Sequence, residues 1–228
     1  MTRVMLATAR VSCAIALACC LAACVSDPGG GLPPAPVARA LPEPGRYGAV
    51  NDEPFSVPSV KTEYLKPQFM RQYVDDPTGQ PPGTVVVDPA HHYLYLVQEE
   101  GKALRYGVGV GRAGMEWSGI ASVAYKREWP NWTPTQNMIA RNPETYRKWA
   151  GGMDGGSNNP LGARALYLFE GGKDTLYRIH GTNEPWSIGK SMSSGCIRMM
   201  NQDIIDLYRR VPKGSKVIVL PATPGPQV

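Results

Sequence analysis

Most of this chain has almost no cysteine. Of five in 228 residues, Cys13, Cys19, Cys20 and Cys24 fall in the first 24 and Cys196 stands alone. With nothing after residue 24 to pair with it, a disulfide framework is excluded as the source of stability. Histidine is scarcer, at three. His91 and His92 are adjacent and no cluster has zinc-ligand spacing, so no metal site is expected. The apolar run at residues 11–23 is too short to cross a bilayer comfortably. There is no basic block either. The net charge of +5 becomes +3 once residues 1–23, with Arg3 and Arg10 and no acid, are set aside. That balance gives no sign of nucleic-acid binding. It would tolerate an anionic polymer, although a soluble basic surface explains it more simply.

What is abundant is proline and glycine, 22 and 25 residues, in a chain that is 43% hydrophobic. That composition suits a loop-rich β domain with an extended linker. Residues 1–23 read as a secretory signal, with Arg3 and Arg10 ahead of the apolar run. The run ends Leu21-Ala22-Ala23-Cys24, which resembles a bacterial lipobox. That resemblance implies a lipoprotein lipidated on Cys24. Val25, in place of an aspartate, then points to the outer membrane of a Gram-negative cell, with the protein in the periplasm. Residues 24–60 are proline-rich and read as a semi-rigid tether. A domain is expected over residues 61–222, with a short tail at 223–228.

Within the domain, residues 66–74 read as a short helix with Phe69 and Tyr73 on one face. Residues 84–88, 92–97 and 104–110 read as strands. The run HYLYLV is apolar on both faces, as strands inside a packed sandwich or barrel are. GVGVGR at 107–112 continues a strand with no helix after it, so it is not a nucleotide loop. Trp117, Trp129, Trp132 and Trp149 fall in a polar middle region, where packing accounts for them as well as binding does. Residues 142–150 read as a helix with Asn142 as cap and Pro143 first. Strands return at 164–180. Asn201 reads as the cap of a helix closed by Arg209 and Arg210, and residues 215–220 form the last strand. The fold class is mainly β, sandwich-like, with a few short helices.

The chemistry concentrates in residues 180–201, HGTNEPWSIGKSMSSGCIRMMN. A thiol attacks well only as thiolate, and an imidazole within reach can take its proton. Cys196 and His180 supply that pair. Gly181 and Gly195 flank them, where tight backbone and exposed amides can hold an oxyanion. Asp174 sits at a turn and is left as a solvated carboxylate. Arg198 either binds a substrate carboxylate or amide oxygen or braces its loop.

The stretch resembles the catalytic motif of the L,D-transpeptidases of the YkuD type: a histidine, about fifteen residues, then Ser/Thr-His-Gly-Cys, an apolar residue and arginine. His180, Ser193, Gly195, Cys196, Ile197 and Arg198 match, and Ser194 replaces the second histidine. The likeness extends over roughly residues 80–221. It implies Cys196 as nucleophile, His180 as general base and the Gly181 carbonyl orienting the ring. Backbone amides at Ser194 and Gly195 would hold the oxyanion, and Ser193 and Arg198 would meet substrate. It further implies acyl transfer on peptidoglycan stem peptides through a thioester, without a cofactor, giving cross-links between diamino acid residues. Water, a lipoprotein amine or a free D-amino acid remain open as acceptors, as does a non-catalytic cell-wall-binding lipoprotein.

Overall fold

The computed structural model describes residues 45–112, 115 and 117–222. The signal segment, Cys24, residues 24–44 of the expected tether and the tail at 223–228 lie outside them. Thirteen strands are named in chain order: β1 Val50–Asp52, β2 Phe55–Val57, β3 Gln72–Asp75, β4 Val85–Asp88, β5 Tyr93–Val97, β6 Lys102–Gly107, β7 Val110–Gly111, β8 Gly119–Glu128, β9 Arg164–Glu170, β10 Lys173–His180, β11 Ser191–Ser193, β12 Ile197–Arg198 and β13 Lys216–Val219. Three α-helices join them: α1 Gln136–Arg141, α2 Pro143–Tyr146 and α3 Asn201–Arg210. No described helix is long and apolar enough to cross a membrane.

Nine strands form one sheet in the order β12-β10-β9-β8-β13-β4-β5-β6-β3. Its pairs are antiparallel except β13 with β4 and β10 with β12. The sheet curls so that the chain just past β6 reaches its other edge at β12. Gly109, just past β6, exchanges backbone bonds of 2.9 and 2.8 Å with Arg198 of β12. Glycine is needed at 109 because a Cβ there would come within 2.8 Å of the Ser187 carbonyl oxygen. The concave face makes one core with α3, including Val85, Leu94, Leu104, Val123, Leu166, Ile179, Ile197 and Leu207. The outer face of β3–β6 adds Val74, Val86, Tyr95, Val97 and Ala103, which is why the run in β5 reads as apolar on both sides.

Three expectations need correction. Residues 66–74 are not a helix. Pro67–Phe69 makes one 3₁₀ turn, and Gln72–Asp75 then pairs with β6. The alternation Gln72 in, Tyr73 out, Val74 in, Asp75 out is a strand period. Asn201 is the first residue of α3 rather than its cap. Its side chain accepts from the Ala163 amide and donates to the Thr182 carbonyl, tying two chain segments together. Asn142 does cap α2, accepting from the Thr145 amide at 3.2 Å.

The third correction concerns the tether. Residues 45–60 are not linker, because they fold onto the domain. Asp52 makes a bidentate pair with Arg164 at 2.6 Å to each oxygen and accepts the Trp129 indole on its carbonyl. Gln202 donates to the carbonyls of Gly48 and Pro58. Tyr47 donates its hydroxyl to the buried Asp203, and that hydroxyl accepts the Arg71 amide at 2.7 Å.

Burial pushes Asp203 up from an ordinary 3.8 to about 7, against the pull of Arg71. An acid whose folded pKa is raised takes up a proton on folding. Its contribution is therefore most favourable below the unfolded value and is lost as pH rises from about 4 to about 7. Asp203→Asn, neutral throughout, should remove that slope. Urea midpoints for both proteins at pH 4.5 and 7.5 would test this. The wild type should lose more stability than the variant over the interval, and equal losses would refute it.

Candidate functional site

The site lies at the seam where the sheet closes. In the parallel pair of β10 and β12, Ile179 faces Ile197 and His180 faces Arg198. The two isoleucines enter the core. Strand alternation therefore turns Arg178, His180, Cys196 and Arg198 to the other face. Residues 130–161 cross that face and roof a cavity of about 260 Å³. His180, Cys196, Ser194 and Arg198 form its floor, with Trp132, Met138, Tyr146 and Leu161 among the covering side chains. Trp132 is set by bonds to Met153 and an edge contact with Tyr146.

His180 is buried, and its Nδ1 meets the Gly181 carbonyl oxygen. A carbonyl only accepts, so Nδ1 carries the proton and Nε2 is left bare as the basic nitrogen. Burial, helped by the Arg198 charge, lowers the imidazole to about 3 despite the Gly181 bond. Cys196 is half-buried, its sulfur 3.9 Å from the Leu176 carbonyl oxygen. Burial raises the thiol, opposed by the Arg178 amide and by the charges of Arg178 and Arg198. Both shifts favour neutral forms. The resting site thus holds a thiol and a neutral imidazole rather than an ion pair.

The loop before Cys196 is braced internally. Ser193 is buried; its hydroxyl donates to the Cys196 carbonyl at 2.6 Å and accepts the Gly195 amide at 3.2 Å. The Gly195 amide thus bonds to Ser193, and Ser193, whose hydroxyl is engaged within the loop, also lines the cavity. Gly195 has φ +123°, and a Cβ there would lie 2.8 Å from the Met115 carbonyl oxygen and 2.9 Å from the Tyr177 ring. Both backbone conformation and close packing demand glycine. Ser194 is exposed. Arg198 donates to Glu184 at 2.6 Å, so it meets an acid on the cavity wall. Sequence reading missed Glu184. Its charge was visible, but nothing local said that it would come within reach of Arg198. No group of three or more potential metal ligands occurs among the described residues.

The family model for the L,D-transpeptidase catalytic domain, YkuD, matches residues 82–219. The chain belongs to the L,D-transpeptidase catalytic domain family. An Escherichia coli K12 protein described as "Probable L,D-transpeptidase ErfK/SrfK" is 34% identical over 141 residues, 60% of this chain and 43% of that protein. Bacillus subtilis "Putative L,D-transpeptidase YqjB" is 45% identical over 82 residues, 35% of this chain and 45% of that one. The chain thus matches less than half the length of these curated relatives. A solved Brucella melitensis chain described as "Probable carnitine operon oxidoreductase caia" is 52% identical over 70% of this chain and 99% of its own, with a TM-score of 0.48. The L,D-transpeptidase match spans β4 to β13 and includes the whole floor of the cavity. It leaves out β1–β3, which this chain packs against α3 and the sheet.

Proposed function

We propose that this chain is an L,D-transpeptidase of peptidoglycan stem peptides that works through a Cys196 thioester. The observation that carries the reading is one cavity floored by a thiol and an imidazole whose bare Nε2 is fixed by the Gly181 bond. Nε2 takes the Cys196 proton as the sulfur attacks the carbonyl carbon joining a diamino acid to D-Ala. With the Gly195 amide engaged by Ser193, the Ser194 and Cys196 amides serve as oxyanion donors. His180 returns the proton to the departing D-Ala nitrogen, leaving the thioester. The side-chain amine of a second stem attacks that thioester. The new amide bond joins two diamino acid residues, and sulfur leaves and regains its proton. The sequence of residues 1–44 supports an anchored protein. Cys24 would carry lipid in the outer membrane, and the proline-rich run would let the domain reach the wall from the periplasmic side.

The test is incubation with purified disaccharide-tetrapeptide, followed by mass spectrometry. A dimer lacking one D-Ala supports the reading. Tripeptide monomer alone would make water the acceptor. Unchanged substrate, from folded protein, would favour a wall-binding module. In the same assay Glu184→Gln should raise KM by roughly 3- to 10-fold, the effect of loosening a charge-assisted hydrogen bond on a half-exposed wall. kcat should change little, because neither His180 nor Cys196 is touched. A fall in kcat at constant KM would mean that the pair serves the chemistry and not binding.

A further inference from the structure

Strand β10 is irregular beside Cys196. Its register against β9 slips between Asp174 and Arg178. At the slip Leu176 has φ +63° and is 72% exposed. The left-handed region is unfavourable for leucine, and so exposed a side chain gains little from packing. Something else must hold this backbone. Asp174 accepts the Leu176 amide at 2.8 Å and grips the Arg178 guanidinium at 2.7 and 2.8 Å. Arg178 also donates to the Tyr177 carbonyl and lies 4.4 Å over the Tyr167 ring, which stacks on Tyr125. Tyr177 is fixed by its hydroxyl on the Met115 carbonyl. The product of this clamp is main-chain geometry. The Leu176 carbonyl stands 3.9 Å from the Cys196 sulfur.

We infer that Asp174 and Arg178 are positioning residues for Cys196, holding the bulge so that the Leu176 carbonyl stays against the sulfur. That acceptor suits the resting thiol, and the clamp keeps the Arg178 charge, which lowers the thiol, beside the thiolate that forms as the proton leaves. The inference rests on Cys196 being the nucleophile. The charged groups facing the sulfur are Arg178 and Asp174 from β10 and Arg198 from β12, with His180 across the floor.

Geometry and simple charge predict opposite results. The Asp174 carboxylate by itself raises the thiol. If only charge mattered, Asp174→Asn would lower the thiol and speed its alkylation at pH 7, and Arg178→Lys would change nothing. If the clamp positions the sulfur, both variants should slow alkylation by roughly tenfold and move its pH midpoint upward. The measurement is iodoacetamide alkylation of the full chain from pH 6 to 10, read on the tryptic peptide 191–198, in which Cys196 is the sole cysteine. Thermal melts would confirm that both variants fold. Slower alkylation in both establishes the clamp. A faster Asp174→Asn, or rates unchanged in both, overturns it. The substrate reading is tested separately, since a wild type inert towards stem peptides would remove that reading and leave the alkylation result standing. On an active enzyme, kcat should fall in both variants while KM holds.

Discussion

Cys196→Ala is expected to abolish turnover of stem tetrapeptide while leaving the domain folded. If the sulfur forms the thioester, no other group on the cavity floor can replace it. Removing a nucleophile of this kind costs on the order of 10⁴-fold or more in kcat. Stability should move by less than about 1 kcal/mol, because the thiol is half-buried and its contact with the Leu176 carbonyl at 3.9 Å is weak. Intact-mass spectrometry gives a second readout. The wild type should gain the mass of an acylated stem lacking D-Ala, and the variant should gain none. Retained turnover in the alanine protein would sink the thioester mechanism, leaving the family fold to be explained by another chemistry.

Arg71→Met should produce the largest loss of stability, although Arg71 lies outside the segment matched by the family. Its guanidinium is largely buried, 2.6 Å from Asp206 and 3.9 Å from Asp203 on α3. Asp206 also accepts the Tyr106 hydroxyl from β6, and Asp203 accepts that of Tyr47. Methionine keeps much of the volume but takes the facing cation from the buried Asp203, whereas Asp206 keeps Arg210 at 2.8 and 3.0 Å. Removing one partner from a buried ion pair costs about 3–5 kcal/mol, because the remaining charge loses its compensation without regaining water. Asp203, already raised to about 7, would be driven further toward its neutral form. Urea denaturation at pH 7.5 would measure the loss. A change below about 1 kcal/mol would mean that desolvation of the network already cancels its attraction. For the same reason, residues 82–219 alone should fold poorly, since they lack β3, Tyr47, Asp52 and Arg71.

Much of this protein was legible locally. The apolar character of β4 to β6 follows from residues that alternate or run continuously within a few positions. Asn142 and Pro143 announced a helix start by chemistry confined to one turn. The motif supplied His180, Gly181 and Cys196 together, because the residues that a thiol site needs lie within 17 positions here. Other features defeated local reading. Residues 66–74 carry a spacing that fits either a helical face or an edge strand, and only the open edge of β6 chose the strand. Proline density marked residues 24–60 as tether, yet Tyr47 and Asp52 find Asp203 and Arg164 more than a hundred positions away. The Gly195 amide looked free until the Ser193 hydroxyl was seen to turn back on it.

The sequence by itself determined the strand periods and the family and marked Cys196 and His180 as the candidate pair, because each depends on residue type at short spacing. Tertiary structure decided which face those residues share, that Glu184 meets Arg198, that Asp174 holds a bulge behind the sulfur and that the chain past β6 bridges to β12 at Gly109 and Arg198. Those outcomes turn on burial and on contacts between distant segments. Whether a charge is solvated or paired is settled by what the curled sheet brings against it.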